Sequence, residues 1–497
     1  MSPLFLATAL TLDPLQLYRV EDPDYPGAES RSATAALLLE APPPGVPHRI
    51  ASIPEPDRWT ATEALEVTNT DLWQHRGHTG AGVKVAVFDV GWAAGGYDLD
   101  ELGAYETHDC HTHASCDLPI DLFNARFSFE TGVHGLACAE VVRDLAPDAE
   151  LHLVRTSSTV AFENAVDWSI REGIDVITLS MSFYNNSFYD GSGAFRRWTD
   201  RLEAHDILLV TSAGNNARKH WRGKFLDTDH DNLMEFDGEE RLWTWLTPGG
   251  HTFYVNWDEH STCGTTDLDV YLTDASGELI VGRSEDAQEK GADRCEPVER
   301  PRANVDEAAW YQLQIVRRSG IASDLDVDII ARGGDLDTPI AEWSVADPAS
   351  QPHAFAVGAV WAGDYQRGAP EAFSSWGPAT TGMAKPDIAG PDGLSTAAYG
   401  AEGFFGTSAS SPAVAALVAV VMSSDPTLTP RDAARRLQGW ALTDGLSGRS
   451  DPRWGAGKAR LPTEPQDPGC GRRPLVLPLF LPPLLWWRRR QRGVPHR

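Results

Sequence analysis

The chain has 497 residues, more than one hydrophobic core usually serves, so two or more domains are expected. Apolar residues make up 42%, enough for packed cores and too many for a disordered chain. Lysine plus arginine is 42 against 71 aspartates and glutamates, and the resulting charge of −29 repels phosphate backbones and excludes nucleic acid as a partner.

In chain order, residues 1–20 hold an apolar stretch without a basic start, a candidate signal segment of weak pattern. Residues 21–64, rich in Pro, Asp, Glu and Ser, read as a linker or short prosegment. From Val83 the texture changes. VKVAVFDV is a continuous apolar run ending near Asp89, as a buried parallel strand requires. Ala149–Arg155, Ile174–Ser182 and Asp206–Asn216 repeat the pattern, with helical periodicity between them in GLACAEVVRDLA and STVAFENAVDWSIREG. Strand and helix in alternation predict an α/β domain with a parallel sheet. Residues 219–334 break into short alternating segments with turn signals, which predicts an inserted antiparallel β-sandwich. The α/β texture returns at Asp335, so the first domain spans 65–218 and 335–460.

Residues 461–497 form a tail. Pro474–Trp487 is apolar but carries four prolines and falls short of the roughly 20 residues a spanning helix needs. With arginines behind it and Cys470 ahead, it reads as a sorting tail in transient contact with membrane machinery. The six cysteines include two close pairs, Cys110 with Cys116 and Cys263 with Cys295, suited to disulfides in a secreted chain. Cys138 reads as a small buried hydrophobe.

Amide hydrolysis at neutral pH needs a nucleophile, a base, a group to orient the base, and oxyanion donors. Asp89 ends a strand before a glycine, where it could hold an imidazole or merely cap a turn. His134 starts a helix, where the positive dipole end disfavours a cation and favours a neutral base; it could equally be a surface histidine. Asn215 closes VTSAGNN, as an oxyanion donor or a turn residue. Ser408 opens an apolar helix, as a nucleophile or an N-cap. Pro412 is expected in that helix's first turn, with Ser410 and Ser411 as packing serines.

VAVFDVG, HGLACAEVV, VTSAGNN and FFGTSASSPAVAAL, in that order, resemble the four signature blocks of the subtilisin-like serine peptidases. The resemblance implies a subtilisin-like three-layer fold. It implies Ser408 as nucleophile, His134 as general base, Asp89 as its orienting carboxylate and Asn215 as oxyanion donor. It also implies substrate binding by Leu179, Ser180, Met181 and Ser182, an edge strand pairing with extended peptide, and by Ala213 and Gly214. The expected function is that of a serine endopeptidase acting on protein or peptide. The expected setting is secreted or at the surface of a bacterium, a Gram-negative one from the tail. No cofactor is required, and calcium is allowed for. Val90 and Leu136-Ala137 depart from the family pattern. They keep open a catalytically inactive peptidase-like binding protein; an esterase or amidase with the same triad is a separate alternative. HDCHTHASCD is read as a disulfide-closed loop with exposed histidines rather than a zinc site. Asp227–Asn232 is read as an acidic turn with an incomplete calcium-loop pattern.

Overall fold

Val, Ile and Leu runs without polar alternation can only be satisfied at the centre of a sheet covered on both faces, and that is where they lie. In the computed structural model of the chain, the described residues are 62–464 except 95, 96, 98, 123–131, 185, 261–264, 289–295, 321–323 and 444–450, together with four short strands at 18–20, 30–31, 36–38 and 48–50. The tail with Cys470, the Cys263/Cys295 pair and most of the N-terminal segment lie outside them.

Seven strands form one parallel sheet, in the order Ile388–Asp392, Ala354–Trp361, Leu208–Ser212, Val176–Leu179, Lys84–Asp89, Glu150–Arg155, Tyr105–Asp109. Helices His134–Leu145, Thr407–Ser424 and Pro430–Trp440 share a core with one face. Helices Thr159–Glu172 and Gly193–Glu203 cover the other, which makes three layers. The Thr159–Glu172 helix has readable ends: Ser158 accepts a hydrogen bond from the Ala161 N–H, and Gly173 closes the helix at φ 64°. Thr407–Ser424 is long and apolar enough to cross a membrane, but 83% of it is buried within the fold. Its alanines at 409, 413, 415, 416 and 419 let it lie close to the sheet.

The inserted region is a separate all-antiparallel array running from His220–Lys224 to Gly334–Leu336. Its ten strands are linked by one continuous hydrogen-bonded order, not the two separate sheets of a simple sandwich. Its own core includes Phe253, Trp257, Val270, Leu313 and Ile329. It meets the α/β domain through Ile330 against Tyr189 and Ala346, with Tyr184 and Tyr254 ring centroids 4.8 Å apart.

Two expectations change. The edge strand Tyr105–Asp109 is too short and polar to show in the sequence, yet it pairs with Glu150–Arg155 along its length. His108 therefore sits on a strand, packed against the buried Trp168 with ring centroids 4.3 Å apart, and is not an exposed loop histidine. His111 and His113 are exposed, and Cys110–Cys116 is a disulfide.

Candidate active site

The carboxyl ends of parallel strands are where backbone direction changes and side chains escape the sheet. Asp89 is the last residue of its strand and has no exposed surface. One oxygen of its carboxylate accepts from the N–H groups of Val90 and Gly91, at 2.8 and 2.9 Å. The other lies 2.7 Å from His134 Nδ1. Since a carboxylate only accepts, Nδ1 carries the proton and Nε2 is left as the free base. Gly135 is what allows this approach: a Cβ there would meet the Asp89 Cβ and the Gly91 carbonyl, both at 2.9 Å.

Burial pulls the His134 pKa down, but the adjacent Asp89 charge and hydrogen bond outweigh it, and the pKa stands above the ordinary value. The helix start alone argues for the opposite direction; a carboxylate in direct contact is the stronger influence. Phe404 meets the ring edge-on at 5.6 Å.

Ser408 is the second residue of its helix and half-buried. It shares with His134 a cleft of about 500 Å³. Its Oγ donates to the Ser180 carbonyl at 3.4 Å. Pro412 is in the second turn rather than the first. A proline there has no N–H for the carbonyl four residues back, which is that of Ser408. The Ser180 hydroxyl takes that place, donating to the Ser408 carbonyl at 2.9 Å, with the Cys138 thiol 3.7 Å away. Burial pushes the Cys138 pKa well up and keeps it a neutral thiol.

Asn215 also lines the cleft. Its Oδ1 accepts from the Thr407 N–H at 3.1 Å and from Thr407 Oγ1 at 2.9 Å. With the oxygen held, the amide nitrogen is the end left to donate. Gly406, at φ 104°, makes room for it: a Cβ there would lie 2.9 Å from Asn215 Nδ2. Gly406 and Thr407 stand beside the serine in FFGTSAS, a signal present in the sequence but not used.

Of the six residues expected to hold substrate, Ser180, Met181, Ser182 and Gly214 line the cleft. Leu179 and Ala213 do not; both are fully buried. Val176–Leu179 is paired on both sides, with Lys84–Asp89 and Leu208–Ser212, so it is not an edge strand and cannot receive a peptide. The free backbone begins one residue later, at Ser180. Two cations missed in the sequence, Lys219 and Arg332, also line the cleft; Arg332 ends a strand of the inserted region. The family departures remove nothing: Val90 acts through its N–H, and Leu136 packs in the core. The carboxylates of Asp227, Asp229 and Asp231 cluster at the surface, with Arg317 already paired to Asp227 at 3.0 Å.

A model of the subtilase family matches residues 300–457, which include Ser408. The human membrane-bound transcription factor site-1 protease is 28% identical over 200 residues, covering 36% of this chain and 17% of that protein. Subtilisin DY of Bacillus licheniformis is 26% identical over 175 residues, covering 32% of this chain and 56% of that protein. The chain thus spans only a part of the curated relatives it matches. In fold, the Clostridium perfringens CspB protease superposes with a TM-score of 0.52 at 14% identity, over 80% of this chain and 97% of that one. The chain is therefore similar to the subtilase family in sequence over residues 300–457, and to the CspB protease in fold.

Proposed function

We propose that this chain is a serine endopeptidase that cleaves peptide bonds through Asp89, His134 and Ser408, with Asn215 as oxyanion donor. The observation that carries this reading is the 2.7 Å Asp89–His134 contact at a cleft lined by both His134 and Ser408. Ser408 Oγ attacks the carbonyl carbon while its proton passes to His134 Nε2. Asp89 holds the imidazole in place and stabilises it as a cation. The new oxyanion accepts from Asn215 Nδ2 and from the Ser408 N–H at the helix start. His134 then protonates the leaving amine, and water repeats the sequence on the acyl-enzyme.

The backbone from Ser180 to Ser182 is the surface against which extended substrate pairs, opposite Gly214. Among the described residues no carboxylate lines the cleft, while Lys219 and Arg332 do, so substrates with an acidic side chain near the scissile bond are preferred. The Cys110–Cys116 disulfide supports work in an oxidising compartment, outside the cytosol of a bacterium, with the apolar and arginine-rich tail as a sorting element. Mass spectrometry of the mature chain's two ends tests that assignment. A fluorophosphonate probe tests the chemistry. It is expected to label the wild type and not Ser408→Ala, and absence of labelling on folded wild type returns the chain to the binding-protein reading. Cleavage of casein set against small esters separates a peptidase from an esterase.

A further inference from the structure

Away from the cleft, the edge strand and its neighbour bring two histidines and a glutamate together. Glu106 lies opposite His152 in the parallel register, and His108 is two residues along the same strand, on the same face as Glu106. His108 Nε2 and His152 Nδ1 are 3.2 Å apart. Glu106 Oε2 is 3.8 Å from the first and 3.6 Å from the second.

The far nitrogens decide what the facing ones can be. His108 Nδ1 meets the Cys116 carbonyl at 3.3 Å, and His152 Nε2 meets the Glu150 carboxylate at 3.2 Å. Both partners only accept, so each far nitrogen must carry the proton. Two neutral imidazoles in these tautomers then point bare lone pairs at one another across 3.2 Å, with a carboxylate beside them. That arrangement is repulsive unless a cation lies between.

We infer that Glu106, His108 and His152 form a binding site for one Zn²⁺ ion, with water completing the coordination. Tetrahedral zinc with bonds of about 2.0–2.1 Å sets its ligand atoms about 3.3–3.4 Å apart. The observed 3.2, 3.6 and 3.8 Å need only small movements of the Glu106 side chain, which is 66% exposed. The outer partners are those expected of zinc-bound histidines, one backbone carbonyl and one carboxylate. Trp168 fixes both rings, with centroids 4.3 and 5.6 Å away. The ion would tie the edge strand, and through Cys116 the disulfide loop, to the body of the sheet.

The test uses the full chain carrying His134→Ala, because Asp89, His134 and Cys138 also offer clustered ligand atoms. After treatment with chelator, Zn²⁺ is titrated calorimetrically and Co²⁺ is followed by its visible spectrum. Uptake of one ion per chain, a tetrahedral Co²⁺ spectrum and a higher Tm are expected. Loss of uptake is expected in His152→Gln, and affinity weakened by about tenfold or more in Glu106→Gln. Should near-UV circular dichroism show His152→Gln unfolded, the exposed Glu106→Gln change decides. Folded protein that takes up no Zn²⁺, or uptake that Glu106→Gln leaves unchanged, overturns the site.

Discussion

The parallel and antiparallel sheets of this chain are both well buried, but they leave different groups at their margins. The parallel sheet is covered by helices on both faces, so its polar groups of consequence emerge at strand ends, and Asp89 and Ser212 lead straight into the cleft. The antiparallel region has its own core and approaches that cleft with one strand end, that of Arg332. On the proposed function, the contrast is a division of labour: the groups proposed to break the bond stand on the parallel sheet and its helices, and the insertion is proposed to adjust what enters.

The largest expected effect falls on the parallel side. Ser408→Ala should lower kcat on the order of 10⁶-fold, the scale established for subtilisin itself, measured on an unstructured protein substrate. A comparable loss on changing the insertion would break the division. Asn215→Leu should cost about 10²–10³-fold in kcat with KM little moved, again the scale known for subtilisin's oxyanion donor. Arg332→Ala sharpens the comparison from the other side. Here kcat/KM should fall roughly tenfold for peptides with an acidic residue near the cut and stay level for neutral ones. A uniform loss across peptides would mean that the insertion supports the catalytic groups rather than substrate choice.

Two pH effects are smaller and touch both regions. Because His134 must be neutral and its pKa is raised by Asp89, the acid limb of kcat/KM should lie above the ordinary imidazole value of 6.5, and activity should fall as pH drops through it. Burial raises Glu140, Asp144 and Asp392 in the α/β domain and Glu299 in the insertion to about 7. These folded-state carboxyls hold protons that the unfolded chain has released. Their contribution is therefore greatest below the ordinary carboxylate range and is lost as pH rises toward 7. Glu299→Gln should flatten that slope for the insertion alone, read as Tm against pH.

Much of this was legible before folding. VKVAVFDV and DILLVTSAGNN are strands because nothing in them alternates, and the switch to alternation after Arg218 marks the antiparallel region. Asp89, His134 and Ser408 stand out because each lies at or next to the end of an element, and Asn215 because it follows a strand in the small-residue run SAGNN. Leu179 and Ala213 were misassigned for one reason: a strand motif does not say how many neighbours the strand will have. Pro412 was placed one turn early because the helix start at Thr407 rests on Asn215, a residue far away in the chain.

The sequence by itself determined the alternation of apolar segments, hence two kinds of sheet, and the chain order of the reactive residues, since both follow from local composition. Only tertiary structure decided that Ser180 would occupy the Ser408 carbonyl, that Arg332 would reach the cleft, and that Glu106, His108 and His152 would meet. Each of these is a distance through space between residues on different strands or domains, set by sheet register and packing rather than by any local preference.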